Sequence, residues 1–369
     1  MVNENNKENC MLTSEAIKKA AFDAGADKCG IAPISRFDGA PKEMNPKFLF
    51  PGVKSVIAFA FRIPRGVQRG IEEGTQFYQY PSMAYGGINE IYAPAVLYRV
   101  GKMIEDEGYE AVVYRNTGAR GIVSDMDGSP GNTISPEEQI EVNKYVKGNT
   151  AHHRSVQFTR EVGEGKVPPD LQFQFRLAAV ACGLGEIGWS KMLLTPEFGP
   201  LQRVAFIFTD AELEYDEMYS GEPLCRKCGA CVRECPGGCI PPINSEMKVT
   251  VNLDGKICEW GDIDMWRCYA FYTHGGRYYN PFVPKEVFDE NKDGLLDVLE
   301  KPGTVANEQN VSSVYNALAG YFPSWVGYNM AKCGGCIRGC VSMLEKKGGC
   351  MEGRFKEPLR TSKPWKMDR

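Results

Sequence analysis

The sequence predicts a chain of mixed α/β class, with helices and buried strands forming a layer and a cysteine-rich module following it. Three observations predict this. Amphipathic helical stretches alternate with short apolar runs of strand length over the first two hundred or so residues. Two cysteine runs of related spacing lie C-terminal to them. The composition changes between them, near residues 215–222, where cysteines become dense and the intervening segments short. The layer is therefore assigned to residues 1–218 and the module to 219–369.

The elements follow in order. Thr13 or Ser14 caps a first helix whose apolar stripe is Ile17, Ala20, Ala21 and Ala24, and Gly25 ends it. A short strand is expected at Lys28–Ala32. Ser55–Phe61 (SVIAFAF) is a continuous apolar run, the pattern of a strand buried on both faces. APAVLYRVGKMIEDEGYEAVVY predicts a helix, a stop at Gly108 and a strand reaching Tyr114, and Arg203–Asp210 predicts another strand. Residues 115–169 are polar and rich in Gly, Asn and Asp, the composition of long loops over a site.

The 369 residues carry 43 basic and 47 acidic side chains, a formal charge of −4. No basic block stands out, so no nucleic-acid partner is expected. There is no run of about 18 apolar residues to span a membrane. The polar N-terminus lacks an apolar signal region or twin arginine, which points to a cytoplasmic protein. Fourteen cysteines without a signal peptide argue for metal ligation rather than a disulfide framework.

The first run, CRKCGACVRECPGGC, gives Cys225, Cys228, Cys231 and Cys235 the spacing C-x2-C-x2-C-x3-C followed by proline, which is that of iron–sulfur ligands. The second, CGGCIRGC, adds Cys333, Cys336 and Cys340. In a two-cluster ferredoxin module the last cysteine of each run crosses to the other cluster. One [4Fe–4S] cluster is thus expected on Cys225, Cys228, Cys231 and Cys340. The other takes Cys235, Cys333 and Cys336, with Cys258 or Cys268 as its fourth ligand. Tetrathiolate zinc is the competing reading, less specific than two interlocking runs. Cys10, Cys29, Cys182, Cys239 and Cys350 are left as small core or surface residues.

Gly183, Gly185 and Gly188 spell G-x-G-x-x-G, but FRLAAVAC before them reads as a helix and Pro196, Gly199 and Pro200 follow closely. A nicotinamide fold needs a strand before and a full helix after, so dinucleotide binding is rejected. The longer stretch ACGLGEIGWSKMLLTPEFGPLQRVAFIFTD, together with the two cysteine runs, resembles the corrinoid-dependent reductases, namely reductive dehalogenases and epoxyqueuosine reductase. The resemblance is good from about Phe175 to Cys239 and resumes at Cys333–Cys340.

The resemblance implies a nitroreductase-like corrinoid-binding domain beside a ferredoxin-like two-[4Fe–4S] module, α+β or α/β in class. It implies base-off cobalamin, reduction of a small organic substrate, and an external low-potential donor such as ferredoxin or flavodoxin. It favours Cys258 as the eighth ligand, through the family's LD-x-x-x-C spacing in LDGKIC, and leaves Cys268 as the alternate. Gly183, Leu184, Gly185, Glu186, Gly188, Thr195, Phe198 and Gly199 would contact the cofactor. Arg203, inside the matched stretch, is the first choice for the site's basic residue, with Tyr145 and Asp170 as further catalytic candidates and His152 and His153 as weaker ones. The sequence departs from the family at Trp189, usually basic, and at Pro169, where the epoxyqueuosine branch has its catalytic aspartate. Residues 269–332 are an insertion. An iron–sulfur electron carrier and a flavin reductase on the same fold are the alternatives.

Within the insertion, DENKDGLLDVLE fits the calcium-loop pattern. Asp289, Asn291, Asp293, Leu295 and Glu300 would supply the oxygens and Gly294 the sharp turn. An Asx-rich turn capping a short helix explains the same residues equally well.

Overall fold

The apolar run becomes β2 (Ser55–Arg62), buried along its whole length except Arg62. The computed structural model describes residues 12–40, 44–75, 79–116, 146–147, 162–164, 166, 173–280, 282–291, 293–318, 321 and 334–360. Strand β2 pairs with β1 (Lys28–Pro33) on one side and β7 (Gln202–Thr209) on the other, and β3 (Ala111–Tyr114) closes the order β1-β2-β7-β3. Every pair is antiparallel, with Ile57 opposite both Ile31 and Ile207. The alternation of helix and strand thus builds a mixed layer without parallel pairing.

Both sheet faces are covered, which is why the strands read as continuous apolar runs. On one face α1 (Ser14–Asp23) and α3 (Ala93–Asp106) set Ile17, Ala21, Val96, Val100 and Ile104 against Ile31, Phe59, Ala205 and Ile207. Thr13 caps α1, its hydroxyl accepting from the Ala16 N–H at 3.1 Å, and Gly25 follows at φ +109°. On the other face α4 (Phe175–Ala181) packs Leu177, Ala178 and Ala181 against Val204, Phe206 and Phe208. Between α2 (Arg65–Glu73) and α3 the chain forms a π-helix, Tyr80–Tyr92, which no local signal in the sequence announces.

After α4 the chain makes the small hairpin β5 (Glu186–Ile187) and β6 (Leu193–Leu194), not the helix a dinucleotide fingerprint requires. The module contains α5 (Ala230–Arg233) and the hairpin β8 (Lys248–Leu253) and β9 (Lys256–Gly261), to which β4 (Val146–Lys147) adds. Then come α6 (Met265–His274), α7 (Lys285–Asp289), α8 (Asp297–Glu300), α9 (Glu308–Leu318) and α10 (Gly335–Leu344). Helices α6 to α9 bury their own cluster around Phe271, Phe288, Leu299 and Val311. By contrast, Ile337, Val341 and Leu344 of α10 join the core of the layer itself.

Ion pairs tie the layer to the module. Glu72 of α2 receives Arg338 at 2.6 Å and Arg360 at 3.0 Å, and Arg360 also reaches Glu234 at 2.8 Å. Burial opposes ionisation of Glu72, but the two guanidinium groups hold it below the usual carboxylate range.

Candidate functional site

The two cysteine runs fold alike. Cys228-Gly-Ala-Cys-Val-Arg-Glu-Cys235 and Cys333-Gly-Gly-Cys-Ile-Arg-Gly-Cys340 have one spacing, and each starts a helix from a left-handed glycine, Gly229 at φ +71° and Gly334 at φ +83°. Helix α10 lies directly on the end of α5. A Cβ on Gly335 would stand 2.1 Å from the Glu234 carbonyl oxygen, so only glycine permits this approach.

Close packing of the helices sorts the thiols into two sets. Cys340 faces Cys225, Cys228 and Cys231, and burial together with these neighbours raises its pKa well above the ordinary thiol value. Cys336 faces Cys268 and Cys235, and burial and those thiols push it up to about 12. The second set lines a cavity of about 90 Å³ with Arg176, Lys191, Pro236, Cys239, Ile263 and Phe271 among its walls. Thiols crowded in this way resist becoming thiolates together, and a bound cationic iron core inverts that balance. Backbone donors are in place: the Trp189 N–H donates to Cys225 Sγ at 3.4 Å and the Cys239 N–H to Cys235 Sγ at 3.3 Å. The Cys239 side chain, against burial and with help from backbone donors, pulls Cys235 down to about 6.

Cys258 is placed elsewhere. It sits on β9 opposite Val251, 3 % exposed, in the apolar cluster of Leu253 and Trp260. Cys268, the alternate, is the thiol at the cavity, on α6 with Asp264 as its cap. A single zinc would draw its sulfurs to within about 4 Å of one another, since Zn–S is about 2.3 Å. Among the described residues no three Cys, His, Asp or Glu side chains are arranged to hold one ion. Cys333, Tyr145, Asp170, His152 and His153 lie outside the described residues.

Next to the cavity stands a cationic patch with tyrosines. Arg203 on β7 donates to the Ala84 carbonyl of the π-helix at 3.3 Å and its guanidinium carbon lies 3.9 Å from the Tyr85 ring centroid. It also hydrogen-bonds Tyr272 of α6 and has Tyr80 nearby; these hydroxyls raise its pKa, although burial opposes them. Arg176 of α4 lies between Arg203 and the cavity that Cys268 and Cys336 line, and burial and the adjacent guanidinium lower its pKa. Lys191, at φ +60°, is buried in the cavity wall, and burial followed by Arg176 pushes it down to about 7. The basic residue missing at Trp189 thus occurs two positions on. Tyr80, Tyr85 and Tyr272 were not legible as site residues, because nothing local distinguishes them among 17 tyrosines.

The glycine-rich stretch is packed against the chain itself. A Cβ on Gly185 would meet the Leu194 carbonyl oxygen at 1.9 Å, and one on Gly183 the Glu217 carbonyl oxygen at 2.4 Å. Gly188 abuts the Leu194 side chain, and Gly199 abuts Leu344 and Met351. Leu184 and Phe198 are core residues, and the Thr195 hydroxyl accepts the Phe198 N–H. Glu186 accepts the Cys225 N–H at 2.6 Å. Glu186 thereby braces the first cysteine run.

In the loop of the calcium pattern a guanidinium takes the cation's place. Arg277 reaches Asp289 at 2.5 Å and Glu300 at 2.9 Å, the first and last ligand positions. The Asn291 side-chain oxygen accepts the Leu296 N–H at 3.0 Å and its amide donates to Asp297. Asp293 and Leu295 are exposed. The Asx-turn reading therefore replaces the calcium reading, because the closing carboxylate and the opening one are already paired.

No family model matches the chain. It is 33 % identical over 158 residues to a tetrachloroethene reductive dehalogenase of Desulfitobacterium hafniense strain Y51, covering 41 % of this chain and 27 % of that protein. A tetrachloroethene reductive dehalogenase of Sulfurospirillum multivorans is 32 % identical over 149 residues, 39 % of this chain and 29 % of that protein. Over those stretches the chain is similar to reductive dehalogenases.

The matched segments span less than a third of those relatives. Among solved structures, a reductive dehalogenase described as suggesting a mechanism for B12-dependent dehalogenation aligns with a TM-score of 0.46 at 13 % identity, covering 92 % of this chain and 38 % of that one. Epoxyqueuosine reductase from Bacillus subtilis aligns with a TM-score of 0.40 at 15 % identity, covering 89 % and 79 %. Epoxyqueuosine reductase has also been solved with an epoxyqueuosine-modified tRNA stem loop, aligning with a TM-score of 0.40. Among the described residues no helix is long and apolar enough to cross a membrane.

Proposed function

We propose that the chain is a corrinoid-dependent reductase, a nitroreductase-like domain coupled to a ferredoxin-like module with two [4Fe–4S] clusters. One cluster takes Cys225, Cys228, Cys231 and Cys340. The other takes Cys235, Cys268, Cys333 and Cys336, with Cys268 preferred to Cys258 because it lines the cavity. The observation that carries the reading is the adjacency of that cavity to Arg176 and the Arg203–tyrosine patch. It supports a path from a buried electron site to a site equipped for proton transfer.

The layer also has polar groups suited to a large amide-bearing ligand. The side-chain amides of Gln68 on α2 and Asn89 on the π-helix are buried, 0 % and 1 % exposed, without hydrogen-bond partners. Such groups cost about 1–3 kcal/mol each when left unsatisfied. They would pair with the carboxamides of a corrinoid. His274 is buried in α6 and its ring is engaged by Thr273 and Ala270, which supports cobalt without a histidine ligand from the described residues.

When bound, clusters and corrinoid would supply low-potential electrons to a small organic substrate. The chain supplies the rest. Tyr272 would donate a proton, and Arg203, hydrogen-bonded to it, would stabilise the resulting phenolate. Arg176 and Lys191 would hold departing or bound anionic groups. The net reaction of such a site is R–X plus two electrons and a proton to R–H and X⁻. The clusters would draw on an external low-potential donor, ferredoxin or flavodoxin.

Reconstitution with cobalamin followed by electron paramagnetic resonance tests the reading. A five-coordinate base-off Co(II) signal is expected. Axial nitrogen coupling, or no retained corrinoid, would overturn it in favour of a flavin reductase or a plain electron carrier, which the visible spectrum separates.

A further inference from the structure

The first cysteine run meets solvent at Cys228, which is exposed, whereas Cys225 and Cys231 are half-buried. Exposed basic side chains line that point. Arg226 and Lys227 directly precede Cys228, and Arg233 at the end of α5 donates to the Cys228 carbonyl at 3.1 Å. A Cβ on Gly348 would stand 3.2 Å from the Arg226 guanidinium, so the turn that carries the exposed Lys346 and Lys347 lies against the run. The chain as a whole has a formal charge of −4, and this face runs against that sign. Carboxylates among these residues do not reverse it. Glu259 takes both Lys227 at 2.7 Å and Lys248 at 2.8 Å, which leaves one positive charge on the trio. Glu352 accepts the Gly348 N–H at 2.5 Å.

On the two-cluster reading, Cys228 is the ligand that brings one cluster to the surface, while Cys235, Cys268 and Cys336 line the inner cavity beside Arg176. Electrons from outside therefore enter at Cys228. A carrier must come close to that sulfur and leave again. Encounters between redox proteins bury little area and depend on steering by charge, and a positive rim steers a negative partner. The ring that Lys227 overlies, Trp189, is 2 % exposed and offers no base a stacking surface, which argues against nucleic acid here.

We infer that the face formed by Arg226, Lys227, Arg233, Lys346 and Lys347 around Cys228 docks an acidic, low-potential electron-carrier protein. The inference rests on the two-cluster reading above and adds to it the point of entry and the charge of the donor. Each encounter passes one electron inward. The carrier is oxidised by one electron, the iron–sulfur site is reduced by one, and no bond forms or breaks.

The test uses the full chain, reconstituted anaerobically, with a flavodoxin of net negative charge as the probe. Calorimetry reads binding of the oxidised flavodoxin, and stopped-flow absorbance reads electron transfer from its hydroquinone. The face variant is Arg226→Glu/Lys346→Glu/Lys347→Glu. The control, Lys54→Glu/Arg99→Glu/Lys102→Glu, makes the same change of charge at exposed positions of the layer. At low salt the face variant should be reduced about tenfold or more slowly than wild type and bind more weakly, with the control within about twofold of wild type. The gap should close at about 1 M salt, where the screening length is about 3 Å. Reduced methyl viologen, a cation that the rim repels, should reduce the face variant at least as fast as wild type. A face variant that keeps the wild-type rate with flavodoxin, or loses rate equally with methyl viologen, would overturn the inference. So would an RNA stem loop that binds the wild type in place of flavodoxin and is lost with the same substitutions. Should the face variant fail to hold iron, the wild type decides alone: its reduction by flavodoxin must slow as salt rises, and a rate indifferent to salt refutes the docking face. Wild-type protein with far fewer than about eight irons, measured before any flavodoxin is added, would instead bring down the two-cluster reading, and this inference with it.

Discussion

Replacing Cys258 and Cys268 by alanine, one at a time, asks which of them holds iron. Cys258 is 3 % exposed on β9, with Val251, Leu253 and Trp260 around it and no cavity thiol near it. Its truncation removes one buried heavy atom. The expected cost is on the order of 1 kcal/mol, that of deleting a buried methylene-sized group, and a fall in melting temperature of about 2 °C or less for a chain of this size. Iron should remain at about eight per chain. Cys268 lines the cavity with Cys235 and Cys336. Its truncation should cut iron to about four per chain and abolish the paramagnetic signal of one cluster, leaving the signal of the cluster on Cys340 intact. The assay is iron and sulfide analysis on anaerobically reconstituted protein, with the melting curve as a control for folding. Loss of half the iron from Cys258→Ala, with Cys268→Ala retaining all of it, would refute the placement of the second cluster.

Three further outcomes are expected. Gly335→Ala should lower both the melting temperature and the iron content, because its Cβ meets the Glu234 carbonyl oxygen at 2.1 Å, a backbone clash of the kind that costs about 1–3 kcal/mol; unchanged values would show that α10 can stand off from α5. His274 is 2 % exposed and burial pushes it down to about 4 from 6.5. The unfolded chain therefore takes up a proton first as pH falls, so stability should drop by about 3 kcal/mol between pH ~6.5 and ~4, a loss that His274→Gln should not show in thermal melts across that range. Millimolar calcium should leave the wild-type melting temperature unmoved, whereas Arg277→Ala should melt lower and recover partly with calcium; a calcium-dependent rise in the wild type would reinstate the cation site.

The strongly periodic parts of the fold were readable because local pattern and final burial coincide. Ser55–Phe61 is apolar throughout because α1 and α3 cover one sheet face and α4 the other. Thr13 could be read as a cap because capping is a local hydrogen bond. The cysteine spacing marked seven candidate ligands for the same reason, since a cluster bound to consecutive turns would impose its spacing on the sequence. The eighth candidate lies far from the run it would join, so two cysteines ten residues apart, Cys258 and Cys268, were both compatible and only packing separates them. The patch of arginines and tyrosines was half legible. Arg203 sits in a recognisable stretch, but Tyr272 arrives from α6 and Tyr85 from the π-helix, and their convergence is a product of tertiary structure. The glycines of the GLGE segment were misread because the sequence cannot say whether a bare backbone admits a ligand or a neighbouring carbonyl.

Arg277 gives the acidic loop an unusual property. It follows Gly275 and Gly276, both in the left-handed region, which turn the chain out of α6 and carry the guanidinium to Asp289 and Glu300. A diffusible ion dissociates, and its occupancy follows its concentration. A cation tethered through the main chain has no such freedom, so the loop keeps one charge state whatever the ionic composition around it. The same twelve residues that elsewhere make a receptor here make a fastener, joining the end of α6 to α7 and α8. A single substitution at position 277 separates those two kinds of device.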